Sequence, residues 1–266
     1  QKRKVFLIIG LTKEATHWDE RFRGLLTEKL GLGHDAIVAV DLPGTGIFLQ
    51  DESPSHIRGI VEMTRARYLH EMVENEERLL IAISLGGMIA MEWVNLFPDD
   101  FHKMVILNSS FRGLSPVHKR LQPDAMKTFV RIFRAKSIEE RERKVIELCC
   151  NDTSQHPRVL KKWVDIARQR PMSRKNMVRQ TLAAARYTFR TSPRIPVFVI
   201  AARHDRLASF TCSVALHSQM GGDLHIFEDE KIGHAIHTDA PEQLVQQIAK
   251  WLERRGWALQ RLPIDV

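Results

Sequence analysis

Short apolar runs alternate with amphipathic segments along the chain, and this pattern predicts strands and helices in turn. The apolar runs are typical of buried parallel strands, since they are continuous and bounded by glycine, proline or polar residues. They span residues 4–10, 36–40, 79–83, 104–107, 195–201 and 224–227. Helical spacing of apolar residues recurs at about 18–31, 55–73, 85–97, 207–220 and 240–254. The alternation predicts an α/β fold with a mostly parallel central sheet covered by helices on both faces.

One long segment interrupts the alternation. Between residues 111 and 194 no strand pattern occurs, and four amphipathic stretches, which include Phe129, Val145, Trp163 and Leu182, each carry one apolar stripe. We therefore predict a core formed by residues 1–110 and 195–266 and a helical cap, residues 111–194, inserted after the fourth strand. Because loops at the carboxyl ends of parallel strands make the site in such folds, the cap is expected to cover it.

Ser84 stands where the third strand run passes into a helix. Two small residues, Ala82 and Gly86, flank it at the second position on either side and leave room for a sharp reversal of the chain. Such a turn exposes the serine hydroxyl at a helix N-terminus, where unpaired amides, that of Leu85 among them, suit an oxyanion. The usual pattern of this nucleophile elbow has glycine where Ala82 stands. The alternative is an ordinary strand-to-helix turn with an incidental serine.

A serine nucleophile requires a base and a carboxylate that orients the base. Asp205 follows the strand run at 195–201, and His234 follows the run at 224–227. The chain order of Ser84, Asp205 and His234 is the order of a Ser-Asp-His catalytic triad on an α/β sheet. Two alternatives stay open: His237 is a rival base, and Asp205 would also suit the cap position of a helix beginning near residue 207.

These landmarks together resemble the α/β-hydrolase superfamily, and within it the capped serine esterases and thioesterases. Carboxylesterases of the carrier-protein methyl ester esterase type are similar. The resemblance covers almost the whole chain and rests on residues 40–44, 83–87, 204–205, 233–234 and 239–242. It implies cleavage of a carboxylic ester or thioester through an acyl-enzyme, without a cofactor or metal. By the family pattern, the backbone amides of Leu11 and Leu85 form the oxyanion hole.

Two features depart from the family pattern. Ile9 precedes Gly10 where the family has histidine, and the first strand run corresponds to the family's third strand. A serine nucleophile argues against the aspartate chemistry of haloalkane dehalogenases and epoxide hydrolases. Two other functions stay open, because a fold does not settle function: a ligand receptor or interaction protein with little turnover, and a cofactor-free lyase or carbon–carbon hydrolase that uses the same triad.

The distribution of charge indicates a partner class. Residues 111–194 contain 21 Lys and Arg against 7 Asp and Glu, a net charge of +14, whereas the rest of the chain carries −6. A basic cap over an apolar acyl pocket would attract an anionic carrier of the acyl group, such as an acyl carrier protein or coenzyme A. Anionic lipid is another acidic partner, and simple solvation of helix faces is the alternative. Basic residues are not interleaved with aromatic ones, so we expect no nucleic-acid binding.

Cysteine content and hydropathy predict the state of the thiols and the location of the protein. The three cysteines, Cys149, Cys150 and Cys212, have neither zinc-ligand spacing nor a disulfide framework, so we expect reduced and packed thiols. A catalytic Cys212 or a redox pair of Cys149 and Cys150 is the less favoured alternative. No apolar run approaches the length of a membrane span, and the N-terminal residues lead directly into a strand, so we predict a cytoplasmic protein without a transmembrane segment.

Overall fold

Six parallel strands form one sheet in the computed structural model, which describes residues 2–33 and 35–257. The strand order is β2-β1-β3-β4-β5-β6, and every neighbouring pair is parallel, which confirms the predicted α/β fold. Residues 258–266 of the predicted core lie outside the described residues. The strands are β1 (Lys2–Ile8), β2 (Ile37–Val40), β3 (Glu76–Ile83), β4 (Lys103–Leu107), β5 (Val197–Ala202) and β6 (Asp223–Phe227).

Helices cover the sheet and make up most of the segment between β4 and β5. Each of the four amphipathic stretches of the cap forms a helix, α5 to α8, and two short helices, α4 and α10, were not predicted. The helices are α1 (Glu20–Leu30), α2 (Ile57–Tyr68), α3 (Leu85–Leu96), α4 (Val117–Arg120), α5 (Pro123–Phe133), α6 (Ile138–Cys149), α7 (His156–Gln169), α8 (Arg174–Arg186), α9 (Thr211–Met220), α10 (Ile236–Asp239) and α11 (Pro241–Arg254).

Strand β1 shows how the sheet separates two cores. Its side chains point alternately to the two faces, as the period of a strand requires. Phe6 and Ile8 pack with residues of α2 and α3, whereas Val5 and Leu7 pack with residues of α1 and α11. All four side chains are fully buried. The continuous apolar run in the sequence thus reflects burial on both faces of a parallel sheet.

The cap has its own small core, which continues into the core domain. Ala125, Ile146 and Trp163, from α5, α6 and α7, are buried against one another and against Ala235, which belongs to the loop after β6. Because this cluster includes Ala235, the cap helices pack directly on the loop that carries His234.

Ion pairs also attach the cap to the core. Five cations of α7, its C-terminal end and α8 pair with carboxylates in the segments that follow β1 and β2. Part of the opposite charge of the two segments is therefore used in holding them together, and these five cations are not free to bind a partner. The pairs are Arg158–Asp19 at 2.8 Å, Lys162–Glu20 at 3.3 Å, Arg179–Glu52 at 3.0 Å, and the closer Arg170–Glu14 and Lys175–Glu52.

The fold depends on a close approach at Gly86, in the first turn of α3. A Cβ atom placed there would lie 2.3 Å from the carbonyl oxygen of Ile8. We expect Gly86→Ala to lower the free energy of unfolding by about 1–3 kcal/mol, because the backbone of β1 would have to shift. Gly24→Ala is the matched control: no atom lies within 4 Å of its Cβ position in α1.

The control substitution should raise the free energy of unfolding by about 0.5–1 kcal/mol, through helix propensity and a less flexible unfolded chain. Urea unfolding of both variants measures the difference. Equal stability of Gly86→Ala and the parent protein would contradict the predicted close approach.

Candidate active site

Ser84 occupies a strained turn between β3 and α3. Its backbone dihedrals are φ 58° and ψ −121°, a region that residues other than glycine rarely adopt. The surroundings fix this conformation: the Ser84 amide donates to the Leu107 carbonyl at 2.9 Å, and the Ser109 hydroxyl donates to the Ser84 carbonyl at 2.7 Å. Strain held in this way by its neighbours is characteristic of functional positions.

His234 is joined to Asp205 by a buried hydrogen bond. The distance from His234 Nδ1 to Asp205 Oδ2 is 2.7 Å, and the two residues are 6% and 5% exposed. The other carboxylate oxygen, Oδ1, accepts from the amides of Leu207 at 2.7 Å and Ala208 at 3.1 Å. Asp205 therefore contacts the imidazole of His234 and closes the turn after β5. It does not cap a helix, because α9 begins only at Thr211.

Asn108 holds the His234 loop in place, a role that the sequence did not suggest. It follows β4 with a φ of 40°. Its side-chain amide donates to the carbonyl of His234 at 2.9 Å, while its oxygen accepts from the amide of Ala202 at 2.9 Å. The carboxyl ends of β4 and β5 are thus tied to the loop after β6 by one side chain.

The cap contributes a second anchor for the same loop. The Asn151 side chain donates to the His204 carbonyl at 3.0 Å, and the Asn151 amide donates to Asp239 Oδ2 at 2.9 Å. The same oxygen of Asp239 accepts from the Gly233 amide at 2.8 Å. Burial raises the pKa of the Asp239 carboxyl, an effect that these backbone amides oppose. The residues that follow α6 are therefore bound to the loops of both Asp205 and His234.

The loop after β1 brings Gly10 against Ser84. A Cβ atom at Gly10 would lie 3.2 Å from Ser84 Cβ, so a larger residue would crowd the serine. The next turn is held by Gln180 of α8, a fully buried side chain whose Oε1 accepts from the Thr12 amide at 3.3 Å. Among the hydrogen bonds of residues 2–33 and 35–257, neither the Leu11 amide nor the Leu85 amide is a donor.

Ser84, His234, Gly10 and Leu11 line one cavity. The hydroxyl of Ser84 makes no hydrogen bond to His234 in the described part of the chain, a contact that is often longer before substrate binds. Apolar side chains of the cap form much of the opposite wall, so the cavity suits an apolar acyl group. These cap residues are Phe129, Ile132, Phe133, Val145, Leu148, Trp163, Ile166, Ala167, Met172 and Met177.

A charged group lies on the side of the cavity next to the loop after β1. Lys13 Nζ is 2.9 Å from Glu142 Oε2 and lies 3.7 Å from the centre of the Trp163 ring. Glu142 also accepts from Arg141 at 2.9 Å. Burial raises the pKa of Glu142, but the two cations outweigh it and leave the pKa below its usual range. The cavity wall therefore carries ion pairs that are satisfied internally.

His237, the rival base, lines the cavity in a different environment. Its ring lies 4.7 Å from that of Trp18, and it is 3% exposed. Burial lowers the pKa of His237 to about 4. Its Nδ1 faces the Thr238 hydroxyl at 3.3 Å, whereas Nδ1 of His234 faces a carboxylate. Among the described residues, no carboxylate forms a hydrogen bond with His237, in contrast to His234.

The cysteines and the possible metal ligands were also compared with the chemistry that each would need. Cys149, Cys150 and Cys212 are free and buried, and burial raises the pKa of Cys149 to about 12 and that of Cys212 above its usual range. These thiols are poor nucleophiles as a result. In residues 2–33 and 35–257, no cluster of three or more His, Cys, Asp or Glu side chains is placed to hold a metal ion. None of the helices within those same ranges is long and apolar enough to cross a bilayer.

Solved structures with the same fold include hydrolases of different substrates. An esterase from Thermogutta terrifontis aligns with a TM-score of 0.66 at 18% identity, over 96% of this chain and 90% of the esterase. The 2-hydroxy-6-oxo-6-phenylhexa-2,4-dienoate hydrolase from a Rhodococcus species aligns with a TM-score of 0.73 at 18% identity, over 95% and 91%. An α/β-hydrolase fold protein from Chitinophaga pinensis gives 0.72 at 17% identity, over 95% and 90%.

Sequence comparison identifies the family. Among curated proteins, none matches the chain. A model of the alpha/beta hydrolase family matches residues 8–247, which include β2 to β6 and the helices between β4 and β5. The family match, the parallel sheet and the solved relatives agree, and the chain belongs to the alpha/beta hydrolase family.

Proposed function

We propose that this chain is a serine hydrolase that cleaves a carboxylic ester or thioester through an acyl-enzyme. The observation that carries the proposal is the combination in one cavity of a strained, accessible Ser84 and of His234, whose Nδ1 is bonded to Asp205. The esterase from Thermogutta terrifontis shares the fold, which agrees with this chemistry. We also propose that the protein is cytoplasmic.

The proposed reaction uses each group in turn. Ser84 Oγ attacks the acyl carbonyl while Nε2 of His234 takes the hydroxyl proton, and Asp205 stabilises the imidazolium that forms. The amides of Leu11 and Leu85 donate to the tetrahedral oxyanion. The imidazolium then protonates the leaving alcohol or thiol, which leaves the acyl group on Ser84. A water molecule, deprotonated by His234, then attacks the acyl carbonyl. As the bond between the acyl carbon and Ser84 Oγ breaks, the imidazolium returns the proton to Oγ, and the acid leaves.

Replacement of the nucleophile tests the proposal. Ser84→Ala should lower kcat/KM on a short acyl ester at least about 10³-fold, because the acyl-enzyme cannot form. The free energy of unfolding should not fall, since the serine hydroxyl makes no hydrogen bond among the described residues. Ser218→Ala is the matched control, an exposed serine on α9 that should leave kcat/KM unchanged.

Three results would contradict the proposal. Undiminished hydrolysis by Ser84→Ala would exclude Ser84 as nucleophile. If the parent protein binds acyl esters but does not turn them over, a ligand receptor is favoured, and if it cleaves only a carbon–carbon bond, the triad serves that reaction instead.

The pH profile distinguishes the two histidines. A base must be neutral to accept the serine proton, so kcat/KM should fall on acidification as the base becomes protonated. His237, with a pKa of about 4, would place this fall near pH 4. His234→Ala should remove nearly all activity. His237→Ala should keep the acid limb where it is, and the reverse pattern would identify His237 as the base.

The anionic carrier is a narrower prediction and depends on cap cations that are not used in attachment. Arg131 on α5 and Arg134 directly after it are exposed and form no ion pair among the described residues. Lys161 has only a distant partner, Asp165, at 3.6 Å. If the anionic partner of these cations is an acyl carrier protein or coenzyme A, an acyl ester of either should be preferred over a neutral ester of the same chain length, and this preference should weaken with salt.

Charge reversal measures this preference. Arg131→Glu, Arg134→Glu and Lys161→Glu should erase it, whereas Lys250→Glu, an exposed lysine on α11, should not. Equal kcat/KM on both esters at every salt concentration would show that the cap charge only solvates the helix faces.

A further inference from the structure

Exposed apolar side chains are concentrated on two helices of the cap. On α5, Met126, Val130 and Phe133 are 47%, 45% and 44% exposed, and their spacing of four and three residues places them on one face of the helix. On α8, Val178 and Leu182 are 47% and 38% exposed and lie one turn apart. Large side chains of this kind in contact with water usually mark an interaction surface.

The same two helices border the cavity of Ser84. On each helix, residues beside the exposed apolar ones line the cavity. These are Ile132 on α5 and Met177 and Thr181 on α8. Phe133 both lines the cavity and is exposed to solvent. The exposed apolar patch is therefore continuous with the interior of the cavity along α5.

Cations without partners flank this patch. Arg131, Arg134 and Lys136, on α5 and just after it, and Arg174 at the start of α8 are exposed. Their side chains form no ion pair with another of the described residues, unlike Arg158 of α7, which is bound to a core carboxylate. An apolar face bordered by free cations is the pattern of a helix that lies in the interface of an anionic membrane.

We propose that the patch formed by Met126, Val130, Phe133, Val178 and Leu182 docks on an anionic lipid bilayer. The apolar side chains enter the boundary between headgroups and acyl chains, and the flanking arginines contact the lipid phosphates. Phe133 then connects the bilayer to the cavity, so an acyl chain passes to Ser84 without crossing water. Membrane lipid esters are the substrate class that follows, and this last step rests on the proposed function.

A bilayer fits the patch better than a soluble acidic protein does. An acyl carrier protein would be recognised by the cations alone, which leaves the five exposed apolar side chains of α5 and α8 unexplained. A bilayer accounts for both, since it presents negative charge at its surface and an apolar medium below it. The patch belongs to a chain with no membrane-spanning helix in residues 2–33 and 35–257, so binding would occur from one side.

Vesicle binding tests the docking surface independently of catalysis. Ser84→Ala protein is sedimented with vesicles of phosphatidylcholine alone or of phosphatidylcholine and phosphatidylglycerol in equal parts. We expect binding to the anionic vesicles at least about tenfold tighter than to the neutral ones. The double substitutions Met126→Gln/Val130→Gln and Arg131→Gln/Arg134→Gln should each weaken anionic binding about tenfold or more.

Matched controls lie elsewhere on the chain. Leu69 and Val73 are 47% and 49% exposed and precede β3, at the sheet edge opposite Ser84. Lys29 and Lys250 are exposed cations of α1 and α11. Leu69→Gln/Val73→Gln and Lys29→Gln/Lys250→Gln should leave vesicle binding unchanged. In a Ser84 background, all four double variants should hydrolyse a short soluble ester at the parental rate, which shows that they fold.

Three results would overturn the proposal: no vesicle binding, equal binding of all variants, or binding lost with the arginines but not with the apolar side chains. The last, together with retention on an immobilised acyl carrier protein, would assign the surface to a soluble acidic partner. Vesicle binding by a protein that fails to hydrolyse any ester would instead contradict the proposed function and leave the docking surface standing.

Discussion

The backbone of Ser84 is the constraint on which the site depends. A positive φ at a residue with a Cβ atom costs on the order of 1–3 kcal/mol, and it persists only where the surroundings prevent relaxation. Three hydrogen bonds to the Ser84 backbone and the close passage of Gly86 beside Ile8 supply that restraint. As a result the serine side chain is turned away from the sheet and into the cavity, beside Gly10 of the loop after β1.

The cap completes the site as well as covering it. Gln180 supports the loop of Leu11 at the point where the family's histidine is replaced by Ile9, and Asn151 supports the loops of Asp205 and His234. Ion pairs such as Arg158–Asp19 hold the cap to the core. Loss of the helices between β4 and β5 would therefore remove contacts to the loops of Leu11, Asp205 and His234 in addition to part of the cavity wall, so the candidate site depends on both segments.

The sequence predicted the parallel sheet, the cap helices and the candidate triad because each has a local signature. Continuous apolar runs mark buried strands, and small residues flank Ser84. The predicted ends of strands and helices were less accurate, for a physical reason. Strand β1 ends at Ile8 because the chain turns toward Ser84. Helix α9 begins at Thr211 because Asp205 first closes a tight turn.

Other features left no signal in the sequence. Asn108 contacts a carbonyl 126 residues away, and Gln180 contacts an amide 168 residues away, so neither belongs to a local pattern. The excess of Lys and Arg in the cap is apparent from the sequence. Which of these cations pair with core carboxylates and which face solvent depends on how the cap packs. Met126 and Val130 belong to an apolar stripe that is typical of a buried face, yet both are exposed. This exposure also depends on how the cap packs and could not be read from the sequence.

The structure of a covalent adduct tests the account most directly. A serine-directed phosphonate mimics the tetrahedral intermediate, and its crystal structure with this protein would locate the reacting atoms. We predict phosphorus bonded to Ser84 Oγ, a phosphonyl oxygen within about 2.7–3.1 Å of the amides of both Leu11 and Leu85, and Nε2 of His234 near the leaving-group position. A phosphonate attached to another residue, or an oxygen that points away from both amides, would contradict the account.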